Sequence, residues 1–110
     1  MTKKQYQPAV AALHDAHSIC IVTHLRPDAD AIGSAAALLL ALRQRGKDVC
    51  AVVGQEREIS RNLYTIPAAD DVTTSRELPE GYDLYVTVDC GSLDRTGFFA
   101  DRIEQLAQQG

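Results

Sequence analysis

One histidine and three aspartates carry the chemistry that this sequence could do. His24, Asp28 and Asp30 fall within seven residues, in His24-Leu25-Arg26-Pro27-Asp28-Ala29-Asp30. Asp89 stands much later, in Val88-Asp89-Cys90-Gly91. An imidazole nitrogen and several carboxylate oxygens together suit a divalent metal ion. Capping is the plainer alternative, since Asp28 or Asp30 can cap the helical run that follows. Capping accounts for one aspartate, but not for two, nor for the histidine beside them.

The flanking residues say how these groups are positioned. Ser18 to Thr23 is short, apolar and β-branched, as a strand buried on both faces should be. Ala31 to Arg45 is a helical run, apolar nearly all round, which implies packing on more than one side. Gly33 and Ser34 in its first turn imply close approach of a strand or a ligand. Pro27 disfavours helix at Arg26 and keeps the loop extended. Gly46 and Lys47 end the helix, and Asp48 to Gly54 reads as a second strand. Strand, helix and strand with short joints make a right-handed βαβ unit.

Lys3 to His17 reads as a leading helix, with Tyr6, Val10, Leu13 and Ala16 at helical spacing. His14 and His17 on it read as polar surface. After the second strand, Ile59 to Ile66 suggests a short helix, and Asp70 to Thr74 a brief strand or a loop. Asp70 and Asp71 find no partner in the pattern. Tyr82 to Val88 is the third clear strand, ending at Asp89, and a helix follows from about Phe98 to Gln109. In a doubly wound sheet of order 2-1-3, the loops after the first and third strands meet at the switch point. His24, Asp28, Asp30 and Asp89 then share one crevice. The expected fold class is α/β: a parallel sheet with helices on both faces, Rossmann-like. The third strand would be a bare apolar edge, which is rare in complete domains, so the sequence reads as part of a larger fold.

The bulk properties exclude some classes. At 110 residues the chain is one domain at most. Its net charge of −4 argues against a non-specific nucleic-acid binder, but not against a nucleotide substrate. Ala35 to Leu42 is the longest apolar run, too short to span a bilayer. The N-terminus shows no signal core, and the expected location is the cytoplasm. Cys20, Cys50 and Cys90 lack the spacing of a disulfide framework or a zinc ribbon, and read as small core residues kept reduced.

Two segments resemble the DHH (Asp-His-His) phosphoesterase family. Thr23-His24-Leu25-Arg26-Pro27-Asp28-Ala29-Asp30-Ala31-Ile32-Gly33-Ser34 is similar to its first motif. Asp83 to Cys90, continuing to Arg95-Thr96-Gly97, is similar to its second. Many members have Gly at the position of Ala29, a departure that removes no ligand. The branch most resembled is RecJ-like: bacterial enzymes that degrade short oligoribonucleotides and dephosphorylate 3′-phosphoadenosine 5′-phosphate. The resemblance implies a manganese-dependent phosphoesterase acting on a small nucleotide, a dinucleotide or short single-stranded RNA. It implies that His24 and Asp28 bind one manganese, Asp30 binds a second, and Asp89 bridges the two. These four would be the catalytic set, with Arg95 a candidate substrate-binding residue.

In the family, the second metal is completed by the histidine of the Asp-His-His motif and a further aspartate. This sequence has no such triplet. Residues 1–110 therefore read as the N-terminal part of a DHH phosphoesterase domain, without the downstream motifs or the substrate-recognising domain. Three carboxylates facing one divalent ion remain net negative, whereas two ions make the site net positive and attract phosphate. Two ions can also clamp the attacking and leaving oxygens of a phosphoryl transfer.

Three other readings compete. A receiver-type signalling domain needs paired acids directly after the first strand and a late lysine; His24 holds that strand end, and no lysine follows Lys47. A haloacid-dehalogenase-type phosphatase needs its Asp-x-Asp at the strand end itself, without an intervening His and Pro. The stronger rival is a metal-binding fragment without catalytic activity.

Overall fold

Three apolar, β-branched runs form most of the sheet. β1 (Ser18–Thr23), β2 (Asp48–Val53) and β4 (Leu84–Val88) are parallel, and a short β3 (Val72–Thr74) lies outside β2. The computed structural model describes residues 3–59, 63, 65–89 and 92–108. Its sheet order is β3-β2-β1-β4, all parallel. The chain runs from β1 to β2 on one side, then returns to place β4 on the other side of β1. The switch point expected from the sequence therefore lies between β1 and β4.

Strand alternation divides the core into two layers. Ile19, Ile21, Val49, Ala51 and Val53 face α2 (Ala29–Gln44), meeting its Ile32, Ala35, Leu39 and Leu42. Leu13 of α1 (Lys3–Asp15) packs against this same layer. Cys20, Val22 and Val52 face the other way. Phe99 covers them, with Ile103 and Leu106 of α3 (Ala100–Gln108). Helices thus lie on both faces of a parallel sheet, and the fold is α/β.

Several expectations need correction. α2 buries one stripe (Ala31, Ile32, Ala35, Ala36, Leu39 and Leu42), and Leu40 is exposed. Ala37 and Ala41, which made the run look apolar all round, are exposed and are simply good helix formers. A Cβ at Gly33 would meet no described atom within 4 Å, so no neighbouring strand requires a glycine there. Asp71 does have a partner, a 3.0 Å ion pair with Arg43 of α2. Asp70 is exposed. Val72–Thr74 is a true strand because it pairs with Ala51 to Val53. The last helix starts at Ala100, after a 3-10 segment at Leu93–Phe99. Half of the short helix expected at Ile59 to Ile66 (residues 60–62 and 64), like Cys90, lies outside the described residues. His14 and His17 are exposed, as expected. No helix among the described residues is long and apolar enough to cross a membrane.

Side chains pin the register of β1 and β4 at both ends. At the N-terminal end, the Asp83 carboxylate accepts from the His17 and Ser18 amides at 3.0 and 3.3 Å, and the Asp83 amide donates to Ser18 Oγ at 2.9 Å. At the other end, buried Thr23 donates its hydroxyl to the Val88 carbonyl at 3.0 Å. A Thr23→Val protein keeps the shape and loses that bond. It is expected to lose about 1 kcal/mol in urea denaturation.

Candidate metal site at the carboxyl ends of β1 and β4

β1 ends at Thr23 and β4 at Val88, which are paired in register. The next residue on each strand is His24 and Asp89, so the switch point brings them together. His24 is nearly buried, with its side chain 10% exposed, whereas Asp28 and Asp89 are open to solvent. His24 Nε2 lies 3.8 Å from Asp28 Oδ1 and 3.6 Å from Asp89 Oδ2. These distances exceed hydrogen-bond length. They fit a shared ion, because two atoms each about 2.1 Å from one metal can be up to about 4.2 Å apart. One ligand atom from each of the three residues falls within 4.8 Å of the others.

The imidazole is set in the form that a metal needs. His24 Nδ1 sits 2.7 Å from the Leu25 carbonyl. A carbonyl can only accept, so Nδ1 carries the proton. In the neutral ring Nε2 then presents its lone pair toward the two carboxylates. Anchoring one ring nitrogen in this way is what fixes metal-binding histidines. The donor set of one imidazole and two carboxylates fits a divalent ion of the manganese or zinc type.

Asp28 has two roles. It is the N-cap of α2, with Oδ1 accepting from the Ala31 amide at 2.9 Å. The cap holds the carboxylate in place beside His24. Asp30 sits in the first turn of the helix, exposed, and does not join the three-residue group among the described residues. Capping thus explains Asp28 without removing it from the site.

The backbone here is held in unusual conformations. Arg26 (φ 49°) and Asp89 (φ 54°) both lie in the left-handed region. The expected extended conformation at Arg26 is therefore wrong: the Arg26 amide donates to Gln55 Oε1 at 2.8 Å, which holds the turn. Such residues cost on the order of 1–3 kcal/mol each and cluster at functional sites.

Sequence reasoning missed what braces the loop. The Leu25 amide donates to the Arg95 carbonyl at 2.7 Å, and the Phe98 amide to the Gly54 carbonyl at 3.0 Å. The segments after β1, β2 and β4 are thus tied together. Arg95 contributes its carbonyl to this tie, and its side chain is exposed. A cleft of about 610 Å³ opens along the same loops, between Leu25, Arg26, Gln55, Arg57 and Phe98. None of His24, Asp28 and Asp89 lines it. No spacing pattern in the sequence marks Gln55 or Arg57.

The fold is shared with an exopolyphosphatase-related protein from Bacteroides fragilis, at a TM-score of 0.73 and 24% identity. The match covers 92% of this chain and 32% of that one, so the chain spans about a third of that protein's length. The family model described as "DHH family, N-terminal domain" matches residues 18–110, from the first residue of β1 onward. With both strand-end motifs inside that match, the chain belongs to the DHH family.

Proposed function

We propose that the chain is the metal-binding part of a phosphoesterase that hydrolyses small nucleotides or short oligoribonucleotides. The observation that carries this is the convergence of His24, Asp28 and Asp89, with the Nδ1 proton of His24 held by Leu25. In this reading His24, Asp28 and Asp89 hold a divalent ion, manganese by the family resemblance. Asp30 contributes to a second ion. A bound divalent ion polarises a phosphoryl oxygen and makes a bound water acidic enough to act as nucleophile near neutral pH.

The remaining roles fall to the protein. His24 is oriented through the Leu25 carbonyl. The α2 cap aims the Asp28 carboxylate. Arg26 and Arg57, on the wall of the cleft, offer guanidinium groups to the anionic part of a substrate. Arg95 is exposed after β4 and is a second candidate for that contact.

A second reading has its own support. The likeness to an exopolyphosphatase-related protein favours cleavage of a phosphoanhydride in polyphosphate by the same site. The sequence contains no Asp-His-His triplet to complete a second ion. These 110 residues are therefore expected to bind manganese but turn over slowly.

The test is a substrate panel: a diribonucleotide, 3′-phosphoadenosine 5′-phosphate and polyphosphate. Each is incubated with this chain, and with a longer protein that includes it, with manganese or with a chelator. Hydrolysis of the nucleotides by the longer protein, abolished by chelator, is the expected result. Preference for polyphosphate supports the second reading, and metal-independent turnover overturns both.

A further inference from the structure

Away from the metal site, two cysteines face one another across the sheet. Cys20 of β1 and Cys50 of β2 are partners in register on neighbouring parallel strands. Both point to the α3 side, where Cys20 is fully buried and Cys50 half-buried. Tyr82 packs against the same layer. Adjacent strands lie about 4.7–4.9 Å apart, inside the Cα separations that a disulfide spans.

We propose that Cys50 and Cys20 form a peroxide-reactive thiol pair, in which Cys50 is the attacking sulfur and Cys20 resolves it to a disulfide. Nothing in this rests on the metal site. Cys50 is the more accessible of the two. The neighbouring Cys20 thiol above all, and then the Tyr82 hydroxyl, favour the Cys50 thiolate, and its pKa is lowered to about 7 against the opposing effect of burial. Cys20 is pushed up by the Cys50 sulfur beside it and by burial, so it stays protonated. A partly exposed thiolate beside a second thiol is the arrangement that oxidation selects.

The chemistry balances with hydrogen peroxide as the oxidant. The Cys50 thiolate attacks one peroxide oxygen. An S–O bond forms, the O–O bond breaks, and hydroxide leaves, becoming water on protonation. Cys50 is now a sulfenic acid, oxidised by two electrons, and the peroxide is reduced. Cys20 then attacks the Cys50 sulfur. An S–S bond forms, the S–O bond breaks, and hydroxide leaves with the proton from Cys20 as a second water. The product ties β1 to β2 covalently, four residues before His24.

The experiment uses the chain with Cys90→Ser, which removes the third thiol from the assay. Before oxidation, Cys50 should react with a maleimide about tenfold or more faster than Cys20. After peroxide treatment of the folded protein, peptide mass mapping should find a Cys20–Cys50 linked pair that dithiothreitol releases. Adding Cys20→Ala should leave Cys50 sulfenic acid, trapped by dimedone, with circular dichroism confirming the fold. Both thiols still free after peroxide, or Cys20 oxidised while Cys50 is not, would overturn the proposal.

Discussion

An Asp89→Asn protein is expected to bind manganese more than about 100-fold more weakly than the parent, with its melting temperature nearly unchanged. Asp89 lies at φ 54°, and asparagine tolerates that region as well as aspartate does. The exchange therefore removes a charge and leaves the turn. Losing a group that merely orients a ligand costs about 10–100-fold in metal affinity, so losing a ligand should cost more. Two flanking substitutions sharpen the result. His24→Gln should weaken binding as much, because Nε2 is the atom closest to both carboxylates. Asp101→Asn, on exposed α3, should do nothing. Calorimetry on the parent and the three variants reads the effect directly. Equal affinities in parent and Asp89→Asn would mean that the ends of β1 and β4 do not share an ion.

The second large effect is on stability. Gly97 sits at φ 65° and ψ −125°, a conformation that side chains other than hydrogen resist. A Cβ there would collide with the Gly54 carbonyl and the Leu25 side chain. Gly54 has the same difficulty from its side, meeting the Thr96 carbonyl and the Phe99 ring. Backbone strain and overpacking together set the expected cost of Gly97→Ala at about 2–6 kcal/mol. Whole domains are stable by only about 5–15 kcal/mol, so a large share of the stability would be lost. Gly33→Ala is the contrast, since a Cβ there meets open space inside a helix. It should be neutral or stabilise by up to about 1 kcal/mol. Urea denaturation of both proteins checks the pair. A Gly97→Ala midpoint equal to the parent's would show that the three loops do not depend on this contact.

The sequence carried the architecture wherever one pattern dominated. Ser18–Thr23 was legible to the residue, because serine and the His24 loop bound an unbroken β-branched run. The meeting of His24 with Asp89 was legible from topology, since a βαβ unit followed by a third parallel strand leaves few places for that strand. What escaped depends on contacts distant in sequence. Val72–Thr74 is too short for its own pattern to declare, and it is a strand only because β2 offers it an edge. Arg26 was expected to be extended because Pro27 follows it, and the Gln55 side chain overrides that local preference. Asp71 seemed solvated because Arg43 is 28 residues away. Among the site residues, the separation of Asp28 from Asp30 turned on helix geometry. The cap faces the loop, while the residue two positions later has already turned toward solvent.

The Thr23–Val88 hydrogen bond joins residues 65 positions apart, and that span fixes when the site can exist. His24 and Asp28 leave the ribosome before Asp89, which follows 65 residues behind His24. At elongation rates of about 5–20 residues per second, the histidine waits roughly 3–13 s for its carboxylate partner. During that interval β1 has β2 on one edge and an open edge on the other. The nascent chain therefore spends that interval without Asp89 beside His24. On the proposed reading, the affinity for a metal arrives in a single step, when β4 docks.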